Sequence, residues 1–142
     1  MHRMTGLDQF EGRWRLEREI DDRKGGLTGQ LVGTAQFTPG EAGVLDYAEE
    51  GQLSYGNQPP MPAERRYIWK AGPDKRIDVF FEDGRPFHTI ALDRLMPDDN
   101  HHCDPDFYHV SYDFTKWPEW RAIWRVVGPS KDYRMVSLYT RA

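Results

Sequence analysis

Gly12-Arg13-Trp14 opens the first alternating segment of this chain, and Tyr139-Thr140-Arg141 closes the last. A Gly-x-Trp at one end and an arginine at the other suit an all-β barrel whose first and last strands lie side by side. There the Trp14 indole plugs the base and the Arg141 guanidinium stacks over it, a cation–π contact worth roughly 0.5–2 kcal/mol. Pairing the end strands closes the sheet, removes its edges and can leave a cavity inside.

The rest of the chain reads as strands. From Trp14 to Ile20, Trp14, Leu16, Arg18 and Ile20 share one face, while Arg13, Arg15, Glu17 and Glu19 share the other. That period of two marks a half-buried strand. Further strands are expected over 28–38, 44–53, 65–71, 75–82, 107–114, 119–127 and 132–141, with Leu45, Tyr47, Glu49 and Leu53 on one face. Asn57-Gln58-Pro59-Pro60-Met61-Pro62 reads as a loop at a barrel mouth, because proline lacks the ladder donor. Glu82-Asp83-Gly84-Arg85 reads as a two-residue Asp-Gly hairpin. That turn sets Phe81 opposite Pro86, Val79 opposite His88 and Ile77 opposite Ile90, which carries an imidazole into the barrel. Residues 93–105 are polar and without period, and read as a long loop. The sum is one antiparallel barrel domain over residues 1–142, of about nine strands, entered through a short helical turn at Leu7-Asp8-Gln9-Phe10. In the final strand the inward face is open between Tyr133, Met135 and Tyr139 on one side and Val136 and Leu138 on the other.

Charge is high, at 30% of residues, but its net is only −4. Nucleic acid and anionic membrane both need a concentrated basic face, so neither is expected as a partner. Cys103 is the only cysteine and the N-terminus has no apolar signal core, which makes the cytoplasm the expected location. The oligomeric state stays open, a homodimer included. Five Trp, seven Tyr and seven Phe supply more rings than a small core needs, and buried Trp and Tyr carry N–H and O–H groups that want partners. A wet or ligand-occupied interior would provide them.

Three groups of residues carry possible chemistry. Arg18, a charge on an apolar face, must meet a carboxylate such as Glu49 or an anionic ligand. His88 is either a hydrogen-bonded core histidine or a general base. His101-His102-Cys103-Asp104-Pro105-Asp106-Phe107-Tyr108 gathers imidazoles, a thiol, carboxylates and a phenol. With one cysteine it makes a poor zinc site, so no metal is expected. A reactive Cys103 would need a folded-back His101, and a structural strand entrance or contact with a ligand at the rim are the other readings. Trp69, Tyr47, Tyr67, Tyr108, Tyr112 and Trp124 fall on inward faces, as core or as pocket wall.

Five segments carry a resemblance: Phe10-x-Gly12-x-Trp14-x-x-x-Arg18, Tyr47-x-Glu49-x-Gly51, Arg85-Pro86-Phe87-His88, His101-x-Cys103-x-x-Asp106-x-Tyr108, and Trp124-x-Val126-x-Gly128-Pro129-x-Lys131-Asp132-Tyr133. In order they resemble uncharacterised lipocalin-like, calycin-type domains of bacteria and fungi. The resemblance implies a one-domain calycin barrel with no established activity, and no cofactor is expected. More loosely, the chain resembles intracellular calycins that hold haem through one axial histidine, a role that would fall to His88.

The leading expectation is a small-molecule-binding barrel for a polar or anionic ligand. Its expected contacts are Arg18, Tyr47, Glu49, Trp69, His88, His101, Cys103, Asp106, Tyr108 and Trp124. An enzyme with His88 or His101 as base is the second reading. The third is a filled barrel that docks partners through an exposed Trp117-Pro118-Glu119-Trp120 edge.

Overall fold

The computed structural model describes residues 6–142. A 3₁₀ turn, Leu7–Phe10, leads into ten strands among the described residues. They are β1 (Gly12–Asp22), β2 (Leu27–Pro39), β3 (Val44–Tyr55), β4 (Met61–Ala71), β5 (Arg76–Phe81), β6 (Pro86–Ala91), β7 (Asp98–Cys103), β8 (Asp106–Asp113), β9 (Trp120–Val127) and β10 (Asp132–Arg141). Their order in the sheet is β6-β5-β4-β3-β2-β1-β10-β9-β8-β7, so the chain ends meet in the middle of an antiparallel meander. The sheet curls into a nearly closed barrel. Its seam lies between β6 and β7, which share no ladder; there the Thr89 N–H donates to the Asp99 carboxylate at 2.7 Å. The two sheet edges therefore persist, bridged by a side chain.

At the base, β1 and β10 pair with Trp14 opposite Arg141. The guanidinium sits 3.8 Å from the indole centroid and donates to the Gln9 and Glu11 carbonyls at 2.6 and 2.8 Å. Trp14 Nε1 donates to the Phe10 carbonyl at 2.8 Å. These bonds hold the 3₁₀ turn across the barrel end and drive Phe10 into the floor. Its ring meets Trp69, Phe114, Trp117 and Trp120 at centroid distances of 5.0–5.8 Å. Trp117 and Trp120 thus face inward, and the docking edge expected from Trp117-Pro118-Glu119-Trp120 is instead part of the floor.

Along one interior row run Leu16, Gly33, Gly51 and Ala63. A Cβ on Gly33 would lie 2.0 Å from the Glu50 carbonyl oxygen. The glycine pair lets β2 and β3 approach where the sheet turns the corner of the barrel.

Three sequence expectations are corrected, and one left open is decided. The strand count is ten, because residues 98–103 form β7 rather than loop. This strand lies at the seam with polar side chains on both faces, so no apolar period announces it. Met61 and Pro62 belong to β4, at its first positions, where a missing donor is tolerated. The β5–β6 turn is three residues long. The Gly84 N–H bonds the Phe81 carbonyl, and Gly84 takes a left-handed φ of 93°. The pairs Val79–His88 and Ile77–Ile90 form, but Pro86 faces Phe80 across a bulge. In β10 the buried face is Met135, Ser137 and Tyr139.

Candidate ligand-binding site

Halfway up the barrel, a polar network crosses the core. Arg18 and Glu49 point inward because their strands alternate, Arg18 on the row of Trp14 and Leu16 and Glu49 on the row of Tyr47. Arg18 Nη1 and Nη2 donate to the two Glu49 oxygens at 2.7 and 3.0 Å, and Nε donates to Ser137 Oγ at 2.7 Å. Tyr47 OH donates to Glu49 Oε1 at 2.6 Å and lies 2.9 Å from Tyr139 OH. Burial alone would lower the Arg18 pKa, but the Glu49 charge and hydrogen bonds outweigh it and the net shift is upward. For Glu49, burial pushes the pKa up, and Arg18 together with the Tyr47 hydroxyl brings it below the usual range. Both groups stay charged. Of the two roles open to Arg18, the ion pair is the one formed.

Across the cavity, His88 Nε2 lies 2.8 Å from Tyr112 OH. His88 Nδ1 is buried and has no hydrogen-bond partner among the described residues. Burial, with a smaller push from His101, lowers the imidazole pKa to about 3. The ring is neutral at physiological pH, and Nδ1 offers one unused hydrogen-bonding position.

Above His88 the β5–β6 bulge does something the hairpin register did not foresee. Phe87 is the extra residue, without a ladder partner, and it turns inward beside His88. Its ring stacks on Phe81, Trp124 and Tyr67 at 4.3, 5.2 and 5.7 Å and meets the edges of His101 and Tyr108 at 5.2 and 5.9 Å. With that ring in place, the space left inside is about 30 Å³, enough for one or two waters.

Of the residues expected at the site, Arg18, Tyr47, Glu49, Trp69, His88 and Trp124 line this interior. His101 and Tyr108 stand at the mouth around Phe87. The other two lie away from it. Cys103 is exposed at the β7–β8 turn, and Asp106 pairs with Lys131 at 3.1 Å beside Gly128, a structural tie between turns. His102 stacks on Phe107 outside the barrel. Sequence reasoning missed Phe87, Tyr139, Ser137 and Arg65 as site residues. For Phe87 the only signal was its place in Arg85-Pro86-Phe87-His88, since a bulge leaves no period to read.

No group of three or more metal-ligating side chains converges among the described residues. A haem does not fit either. The Nε2 of His88 is held by Tyr112, and Phe87 and Trp124 rings stand 4.7 and 5.2 Å from the imidazole.

Fold and interior define a nearly closed ten-stranded β-barrel with a polar network in an aromatic core. The chain belongs to the family described as "Family of unknown function (DUF6314)", whose model matches residues 10–141. No curated protein matches it in sequence. Among solved structures, a de novo designed fluorescence-activating β-barrel is 15% identical, with a TM-score of 0.51 over 98% of this chain and 99% of that one. A redesigned β-barrel, mFAP1, bound to DFHBI, is 12% identical, with a TM-score of 0.50 over 97% of this chain and 100% of that one. At such identities the likeness is one of fold.

Proposed function

We propose that this protein is a cytoplasmic, calycin-type barrel that binds a small planar aromatic molecule in the slot now filled by Phe87. The observation that carries the reading is Phe87 itself. A ring stacked on three others and edged by two more defines a site shaped for an aromatic ring. The bulge that presents it lets the side chain leave without breaking a ladder hydrogen bond. Behind the slot, the unpartnered Nδ1 of His88 offers a hydrogen bond to a polar atom of the guest. Concave sites with apolar walls and a few convergent polar groups are the usual form of small-molecule pockets.

Arg18 is not an anchor in this reading, because Glu49 already neutralises it. A catalytic role for His88 has less support: an imidazole that protonates only near pH 3 is a weak base at neutral pH.

The test is native mass spectrometry of protein purified from its host and from a heterologous host, beside the denatured mass. A reproducible extra mass lost on denaturation supports the reading. No extra mass, together with no tryptophan fluorescence response to a panel of one-ring aromatics, would overturn it.

A further inference from the structure

Resting on that reading, we propose that the ligand is an aromatic acid, and that its anionic group is held at the barrel mouth by Arg65 and a collar of tyrosine hydroxyls.

Arg65 pairs with Glu49 across β3 and β4, so it belongs to an inward-facing row. It nevertheless reaches solvent, and with Tyr67 it lines both the interior cavity and an open groove of about 490 Å³ at the mouth. Its charge acts on Glu49 and on Tyr133. Among the described residues it makes no hydrogen bond and no ion pair. Two neighbouring cations are committed to carboxylates. Arg85 holds Asp83 at 2.7 Å and lies over Phe81, and Lys131 holds Asp106; Arg66, on the outward row opposite Ala48, lines the groove but not the interior. The Arg18–Glu49 pair is neutral as a unit, so of the described charged side chains that line the interior Arg65 is the one without an ion-pair partner; Glu82 and Asp83 line the outer groove.

The phenols complete the site. Tyr108 and Tyr133 face one interior row, each opposite Val126. Tyr67 and Tyr108 both meet the Phe87 ring, at 5.7 and 5.9 Å between centroids, and Tyr133 flanks the same Val126 as Tyr108. None of the three hydroxyls has a hydrogen-bond partner among the described residues. A guanidinium fork with neutral O–H donors beside it is a carboxylate or phosphate receptor. The Phe87 ring slot adjoins it through Tyr67, at 5.7 Å between centroids. A ring in the slot would project its acid group toward Arg65.

The test uses trans-cinnamate and trans-cinnamamide, which differ in charge and little in shape. Both are titrated against the wild-type protein and the Phe87→Ala variant, with tryptophan emission as readout. Cinnamate should bind about tenfold more tightly than the amide at low salt, and Arg65→Gln should erase that preference by weakening the acid far more than the amide. An Arg65→Gln protein that keeps the preference overturns the assignment of the anion site. Equal binding of acid and amide by the wild type overturns it too, and in both cases the aromatic-binding reading survives. If neither compound binds wild type or Phe87→Ala, the inference falls together with the reading beneath it.

Discussion

Arg18 and Glu49 meet in two parallel hydrogen bonds, 2.7 and 3.0 Å long, in the middle of an aromatic barrel. Side-chain exposure is 5% and 3%, so both charges depend on partners inside the barrel. Every strong partner is protein: Ser137 takes the third guanidinium bond, and Tyr47 links the carboxylate to Tyr139. Such a pair contributes less net stability than its length suggests, because removing both ions from water costs nearly what their attraction returns. It does fix which face of β1, β3 and β10 points inward.

Single and double replacements of the pair should therefore differ. Glu49→Leu strands the Arg18 charge in the core and should cost about 3–5 kcal/mol in urea denaturation. Adding Arg18→Met should recover most of the loss, since two apolar side chains need no partners. A double variant as unstable as Glu49→Leu alone would mean that the pair does more than satisfy its own charges.

Acid should destabilise the fold in two windows. The folded pKa of His88 is depressed to about 3 from 6.5, so below pH 6.5 the unfolded chain binds the extra proton. The His88 contribution is complete above pH 6.5 and is lost as pH falls toward 3. From linkage, about 2 kcal/mol should go between pH 6.5 and 5. Glu49 acts lower: its folded pKa is also depressed, so its contribution is present above about pH 4.5 and is lost as pH falls through the folded value. His88→Gln should flatten stability between pH 7 and 5 and leave the lower window. An unchanged slope in that variant would place the upper window elsewhere.

Much of the barrel was legible because alternation and chain-end chemistry are local. Trp14, Leu16 and Arg18 announced the inward row of β1, and the carboxylate that Arg18 demanded was found at Glu49, on a face that Leu45 and Tyr47 also marked. What stayed hidden has no period. β7 lies at the seam and carries Asp, Asn and His on both faces. Phe87 turns inward only because a bulge shifts register between Val79 and Phe80, and Asp-Gly gave no sign that the turn would take a third residue. Arg65 looks like an ordinary surface arginine until its strand is registered against Glu49.

The base latch has its own signature. Arg141→Ala removes the stack on Trp14 and the two bonds to the Gln9 and Glu11 carbonyls, and should cost about 1–2 kcal/mol. Arg141→Lys keeps the charge but not the planar fork, and should recover less than half of that. Amide exchange at Phe10 and Glu11 should quicken in both variants. Full recovery by lysine would reduce the latch to simple charge.

Two glycines on β2 face close neighbours of different kinds, and the contrast predicts their mutational costs. A Cβ on Gly33 meets backbone, the Glu50 oxygen at 2.0 Å and Gly51 Cα at 2.5 Å. Nothing there can rotate away, so β2 and β3 must part at the barrel corner. A Cβ on Gly29 also falls too close, 2.5 Å from Tyr55 Cδ2 and 3.2 Å from the Ser54 carbonyl oxygen, but the nearer obstacle is a tyrosine ring at the open end that can swing aside. Its movement gives up the 2.7 Å bond from Tyr55 OH to Asp22. Gly33→Ala should therefore cost more than about 3 kcal/mol, and Gly29→Ala about 1–2 kcal/mol, by urea denaturation. Equal losses at the two sites would show that the corner yields as readily as a side chain, and that close backbone approach there is not what the fold depends on.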